Sequence, residues 1–82
     1  MNVAIDQLLA AVRSFVREDQ GLSTEDLDAE TQLFQEGYID SFAVVRLIAD
    51  LEQRLSLNLP SGALIPEDFA TVSTLHGRLE EL

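Results

Sequence analysis

The run Gly37-Tyr38-Ile39-Asp40-Ser41-Phe42 decides how this chain is read. It closes a long acidic connection and opens an amphipathic segment, so Ser41 stands at a helix entrance, after an acid and before a large apolar residue. Gly37 supplies backbone freedom just ahead of it. Asp40 suits an N-cap. The unpaired N–H groups and the dipole at a helix N-terminus favour an anion beside Ser41. Two readings stay open on these residues alone. Either Asp40 and Ser41 are caps and nothing more, or Ser41 is offered to another enzyme for modification, with Asp40 serving recognition or capping.

Downstream, a helix is expected from Ser41 to about Leu55. Val44, Leu47, Ile48, Leu51 and Leu55 recur at three- and four-residue steps and form its inner stripe. Phe42, Val45 and Ala49 lie off that stripe, as secondary core or as a docking surface. Upstream, Leu22, Leu27, Leu33, Phe34 and Ile39 are spaced as anchors for the long loop from Asp19 to Asp40, with one turn expected near Ser23 to Leu27. Long loops of this kind are often functional. Tyr38 is either a docking aromatic or a residue half-packed on the core.

A first helix is expected from about Val3 to Glu18, its inner positions being Ile5, Leu8, Leu9, Val12, Phe15 and Val16. Gly21 suits the chain reversal that follows. Pro66, with Glu67 and Asp68 after it, marks a single-turn helix to Phe69. Thr71 or Ser73 caps a last helix whose inner stripe is Val72, Leu75, Leu79 and Leu82. Gly77 weakens that helix by about 1 kcal/mol relative to alanine. No strand alternation appears. The expected fold is all-α, one domain over residues 1–82, with three main helices, one short helix and a long loop between the first two.

The chain has 82 residues, no cysteine and one histidine, and its net charge of −10 comes from fifteen acids against five arginines. A domain this small buries only roughly 60% of its unfolded surface. No apolar run approaches the roughly 20 residues that cross a bilayer. No basic-then-apolar segment opens the chain as a signal peptide does, so the default expectation is cytoplasmic. The charge disfavours nucleic acid and anionic membranes, and it attracts proteins with basic docking surfaces. Arg13 and Arg17 are expected on a solvated face, pairing with neighbouring acids.

Little in the chain supports chemistry of its own. His76, beside Leu75 and Gly77, reads as a histidine on a helix rim, and no G-x-S-x-G setting surrounds Ser41. Asp26, Asp28 and Glu30 alternate like calcium ligands, but Thr31 and Gly37 stand where such a loop needs glycine and a bidentate glutamate. One histidine without cysteine makes no zinc site. No glycine-rich phosphate loop occurs. No catalytic or metal-binding residues are therefore assigned, and the chain is not read as an enzyme.

Leu33-Phe34-Gln35-Glu36-Gly37-Tyr38-Ile39-Asp40-Ser41-Phe42, followed by Val44-Val45-Arg46-Leu47-Ile48-Ala49-Asp50-Leu51-Glu52, resembles the acyl and peptidyl carrier protein family. Pro60 and the Phe69-Ala70-Thr71-Val72 entry to the last helix extend the likeness, which spans Ile5 to Leu79. The resemblance implies a four-helix bundle of the acyl carrier type with a short third helix. It also implies that Ser41, the serine of a D-S-(L/M) motif, receives 4′-phosphopantetheine from coenzyme A through a phosphopantetheinyl transferase. The arm's thiol would then carry acyl or aminoacyl thioesters, which suits a chain without cysteine.

By the same resemblance the second helix is the recognition helix, with Phe42, Val45, Arg46 and Ala49 toward partners and Asp40 assisting. The implied partners are the transferase, an adenylating or acyl-loading ligase, and downstream acyl-transfer or tailoring enzymes, acting on a monomer. Arg46 and Ala43 stand where fatty-acid carriers usually have acids, and Phe42 replaces the usual leucine. The loop Leu33–Gly37 looks more like stand-alone carriers for amino acids or specialised metabolites, including D-alanyl carriers. The expectation is therefore a dedicated biosynthetic pathway. A general fatty-acid carrier and an acidic helical interaction module without prosthetic group are the alternatives.

Overall fold

The computed structural model describes all residues, Met1 to Leu82, and its elements follow from local signals. Helix α1 spans Ile5–Asp19, α2 Ser41–Arg54 and α3 Val72–Glu81, and a 3₁₀ turn covers Pro66–Phe69. The architecture is all-α, three helices and one short turn, as the sequence implies. None of the helices is long and apolar enough to cross a membrane.

Helix α1 starts two residues later than Val3. No side chain caps it at Ala4, whose N–H is met only by Gln7 Oε1 at 3.4 Å. Val3 is freed from the helix and buried in the core instead. Helix α2 begins where a carboxylate is available: Asp40 Oδ1 accepts from Ala43 N–H at 2.8 Å. It ends where Ser56 turns left-handed at φ 54° and Leu57 N–H reaches back to Glu52 O at 3.0 Å. That six-to-one closure satisfies a terminal carbonyl of the helix. Of the two candidate caps for α3, Thr71 serves, its Oγ1 accepting from Thr74 N–H at 3.0 Å. Helix α3 continues past Gly77 to Glu81.

The three stripes meet in one core. Leu8, Val12, Val16, Leu47, Leu51, Phe69, Val72, Leu75 and Leu79 are wholly buried. Truncating a leucine among them costs about 2–5 kcal/mol. Leu27, Leu33 and Ile39 bring the long loop down onto this core, with Phe34 and Tyr38 half-buried at its edge. Two expectations are corrected. Leu22 is 41% exposed, because the chain reverses beneath it at Gly21, where φ is +68°. Leu82 is 42% exposed at the end of α3, where no facing element remains to cover it.

The loop is held by polar ties as well. The turn near Ser23 to Leu27 is present, with Leu27 N–H on Thr24 O at 3.1 Å. Arg13 and Arg17 do not pair with acids as expected. Arg13 Nη2 donates to Thr24 O at 3.3 Å and Arg17 Nη1 to Thr24 Oγ1 at 2.9 Å, because the loop folds Thr24 against α1 and buries it. A second turn, at residues 33–37, closes through Glu36 N–H to Gln32 O and Tyr38 N–H to Leu33 O, both 2.9 Å. Gly37 sits in it at φ +81°, a conformation other residues adopt only under strain. The loop's far side reaches α3: Ser73 N–H donates to Ala29 O at 3.0 Å, Ser73 Oγ bonds Glu30, and Leu33 N–H donates to Ala70 O at 2.9 Å.

Candidate functional site

Ser41 is the first residue of α2, and it is exposed. The capping role belongs to Asp40, so the Ser41 hydroxyl is not consumed in starting the helix. Of the first amides of α2, that of Ala43 is met by the Asp40 carboxylate and that of Val44 by Asp40 O at 3.1 Å. The amides of Ser41 and Phe42 precede the first intrahelical bond and face whatever lies before the helix. An anionic group placed at Ser41 would therefore meet backbone donors and the positive end of the helix dipole.

Beside the hydroxyl lies a shallow depression of about 370 Å³, lined by Phe34, Ser41, Pro66, Glu67 and Ala70. The second turn of the loop supplies Phe34, and the 3₁₀ turn supplies Pro66 and Glu67. The bond from Leu33 to Ala70 holds the two walls together. The residues were legible one by one, but their convergence on Ser41 was not. It depends on a long-range backbone bond that leaves no periodic trace in sequence.

The residues off the inner stripe resolve cleanly. Phe42 is 82% exposed and Val45 69% exposed, so neither belongs to the core, and Ala49 is exposed beside them. Their positions share one outer face of α2 with Arg46. Ala43, by contrast, is wholly buried.

Arg46 is exposed but engaged. Its Nε lies 3.1 Å and 3.3 Å from the two Asp19 carboxylate oxygens, and its Nη2 lies 3.0 Å from Oδ2. These hydrogen bonds hold the Asp19 carboxyl below the usual carboxylate range, aided by Gln20 Nε2 at 2.6 Å and opposed by partial desolvation. Lower on the same seam Arg54 bridges Asp50 at 2.6 Å and Glu18 at 3.0 Å, which raises its own already high pKa. Two arginines of α2 thus tie it to the end of α1.

His76 is occupied elsewhere. Its Nε2 lies 2.8 Å from Val3 O and its Nδ1 lies 3.6 Å from Glu80, a half-buried clasp between the N-terminal segment and α3. Two carboxylates of the acidic loop are engaged: Asp28 Oδ1 accepts from Glu30 N–H at 2.8 Å, and Glu30 is bound to Ser73. The arrangement at Ser41 can accept a group delivered from outside, and no neighbouring base in the chain is hydrogen-bonded to it.

Comparison with known proteins bears on what that group is. Residues 10–79 match the family described as a phosphopantetheine attachment site. The chain is 38% identical over 58 residues to the D-alanyl carrier proteins of Bacillus mycoides (strain KBAB4), Bacillus cereus (strain B4264) and Bacillus anthracis (strain CDC 684 / NRRL 3495). The overlap covers 71% of this chain and 71% of each relative. No solved structure matches it significantly. The matched span holds α2, the 3₁₀ turn and nearly all of α3, and with them the exposed serine at a helix entrance: the chain belongs to the phosphopantetheine-attachment family of carrier proteins, whose prosthetic group is 4′-phosphopantetheine.

Proposed function

We propose that Ser41 is the attachment residue and that the 1–82 unit is an aminoacyl carrier for a dedicated biosynthetic pathway. The observation that carries the reading is the division of labour at the start of α2. Asp40 caps the helix, leaving an exposed hydroxyl beside free backbone donors and a shallow cleft. In the transferase reaction the Ser41 oxygen attacks the phosphorus of coenzyme A that bears the pantetheine. The phosphoanhydride bond breaks, 3′,5′-ADP leaves, and the hydroxyl proton passes to a base on the transferase. Once attached, the group supplies a thiol that holds cargo as a thioester at high effective concentration near partner sites.

The aminoacyl assignment is supported by the D-alanyl carriers among the relatives. The carrier works with a transferase, an adenylating ligase that loads the thiol, and an enzyme that takes the cargo onward. It is not itself a catalyst. The requirement for coenzyme A and ATP argues for loading in the cytoplasm. Asp40 assists recognition as well as capping, and Phe42, Val45, Arg46 and Ala49 form the docking face.

Intact mass after incubation with coenzyme A and a broad-specificity transferase tests the attachment. The expected result is a gain of about 340 Da that vanishes in Ser41→Ala, the mass of one added arm. No gain in the wild-type chain sinks the assignment. Loading the modified chain with amino acids or with fatty acyl donors then separates the aminoacyl reading from a fatty-acid role.

A further inference from the structure

We propose that Arg46 is a docking cation held in readiness by Asp19. The adenylating ligase that loads this carrier presents a carboxylate, which takes the guanidinium over from Asp19 as Phe42 and Val45 enter apolar contact. The inference rests on the reading above that α2 is the docking helix.

The arginines of the chain are not alike. Arg13 and Arg17 hold Thr24. Arg54 is shared between Glu18 and Asp50. Arg78 is shared among Ala63 O, Asp68 and Glu81. Arg46 has Asp19 alone, and its side chain is 53% exposed against 33% for Arg54 and 35% for Arg78. It is also the one arginine on the outer face that carries the most exposed aromatic of the chain, Phe42. The first turn of that helix holds no acid.

An exposed pair of this kind is screened by water and weak, so exchanging one carboxylate for another costs little. A carboxylate that meets the same fork inside a protein interface, away from water, binds it more strongly. The planar guanidinium takes either carboxylate by the same geometry. On a chain of net charge −10, a cation at this place also disfavours a partner whose basic patch lies over α2. The ligase decides which cargo is attached, so discrimination between carriers belongs at its surface.

The test uses the phosphopantetheine-bearing carrier, a purified D-alanine-activating adenylating ligase, ATP and labelled D-alanine. KM for the carrier is measured for wild type, Asp19→Asn, Arg46→Gln and the double variant. Releasing Arg46 by Asp19→Asn lowers KM roughly 1.5- to 5-fold, the range for removing one exposed competing pair. Arg46→Gln raises KM by about 5-fold or more, and the double variant follows Arg46→Gln. Both single variants break the same ion pair, so their melting temperatures move together. A merely structural pair moves KM the same way in both, and that result overturns the inference. So do reversed signs, which mean a basic ligase surface, and an unchanged KM. If wild-type carrier gains the arm but no D-alanine, the D-alanyl form of the aminoacyl reading fails and this inference with it. If wild-type is charged but the signs do not split, the inference alone fails.

Discussion

Replacing Asp40 separates two roles that one carboxylate holds. Its Oδ1 accepts the Ala43 N–H at 2.8 Å, the only side-chain cap at the start of α2. Asp40→Ala leaves that amide without its partner and costs about 1 kcal/mol. Asp40→Asn keeps an equally good acceptor and loses only the favourable charge at the helix dipole, about 0.3 kcal/mol for a group as exposed as this one. In a domain of this size about 1 kcal/mol shifts the melting temperature by roughly 4–8 °C. Far-UV circular dichroism should therefore show Asp40→Ala melting about 4–8 °C below wild type, and Asp40→Asn within about 2 °C of it. Transferase rates, taken well below every melting point, then read recognition alone. If the charge is read by the transferase, both variants slow by roughly 10-fold, the scale of one lost charged hydrogen bond. The capping argument is refuted if Asp40→Ala melts with wild type, or if Asp40→Asn falls as far as Asp40→Ala.

Two further outcomes follow from geometry at the helix ends. Ser56 holds φ 54° at the close of α2, so Ser56→Gly should relieve the strain and stabilise the fold by about 1 kcal/mol in urea denaturation; a loss of stability contradicts it. The Asp19 carboxyl is depressed chiefly by its hydrogen bonds with Arg46, so the unfolded chain protonates first as pH falls. The pair's stabilisation is complete above the unfolded carboxyl's pKa and is lost as pH falls through the lower, folded one. Carboxyl NMR titration should find Asp19 titrating lower in wild type than in Arg46→Gln, with the gap narrowing at high salt; coincident curves would remove the cause assigned here.

The parts of the fold that were legible are those written in local chemistry. The cap at Asp40 and the apolar spacing of Val44, Leu47 and Leu51 define α2 without help from the rest of the chain. Pro66 with Glu67 and Asp68 likewise marks the 3₁₀ turn. Exposure of Phe42 and Val45 followed from their place off the inner stripe, once the resemblance favoured docking over core. What stayed hidden is long-range. Arg13 and Arg17 sit on α1 at a spacing that suggests neighbouring acids, and only the folded loop brings Thr24 within their reach. The turn at residues 33–37 has no cap signal and packs through Leu33, so it read as plain loop. The cleft beside Ser41 needed both that turn and the Leu33–Ala70 bond, neither of which periodicity can express.

The ties between the loop and α3 set a rule for anyone recombining such carriers. Ser73 holds Ala29 and Glu30, and Ala70 holds Leu33, so the segment before the serine and the opening turn of α3 behave as a single module. Two of these ties join backbone groups and survive a change of side chain, but a chimera that transplants the loop alone parts Glu30 from the Ser73 hydroxyl and Thr24 from the Arg17 guanidinium. Exchanging residues 20–40 together with 66–75 keeps Glu30 with Ser73, and extending the first segment back to residue 13 keeps Arg13 and Arg17 with Thr24 as well.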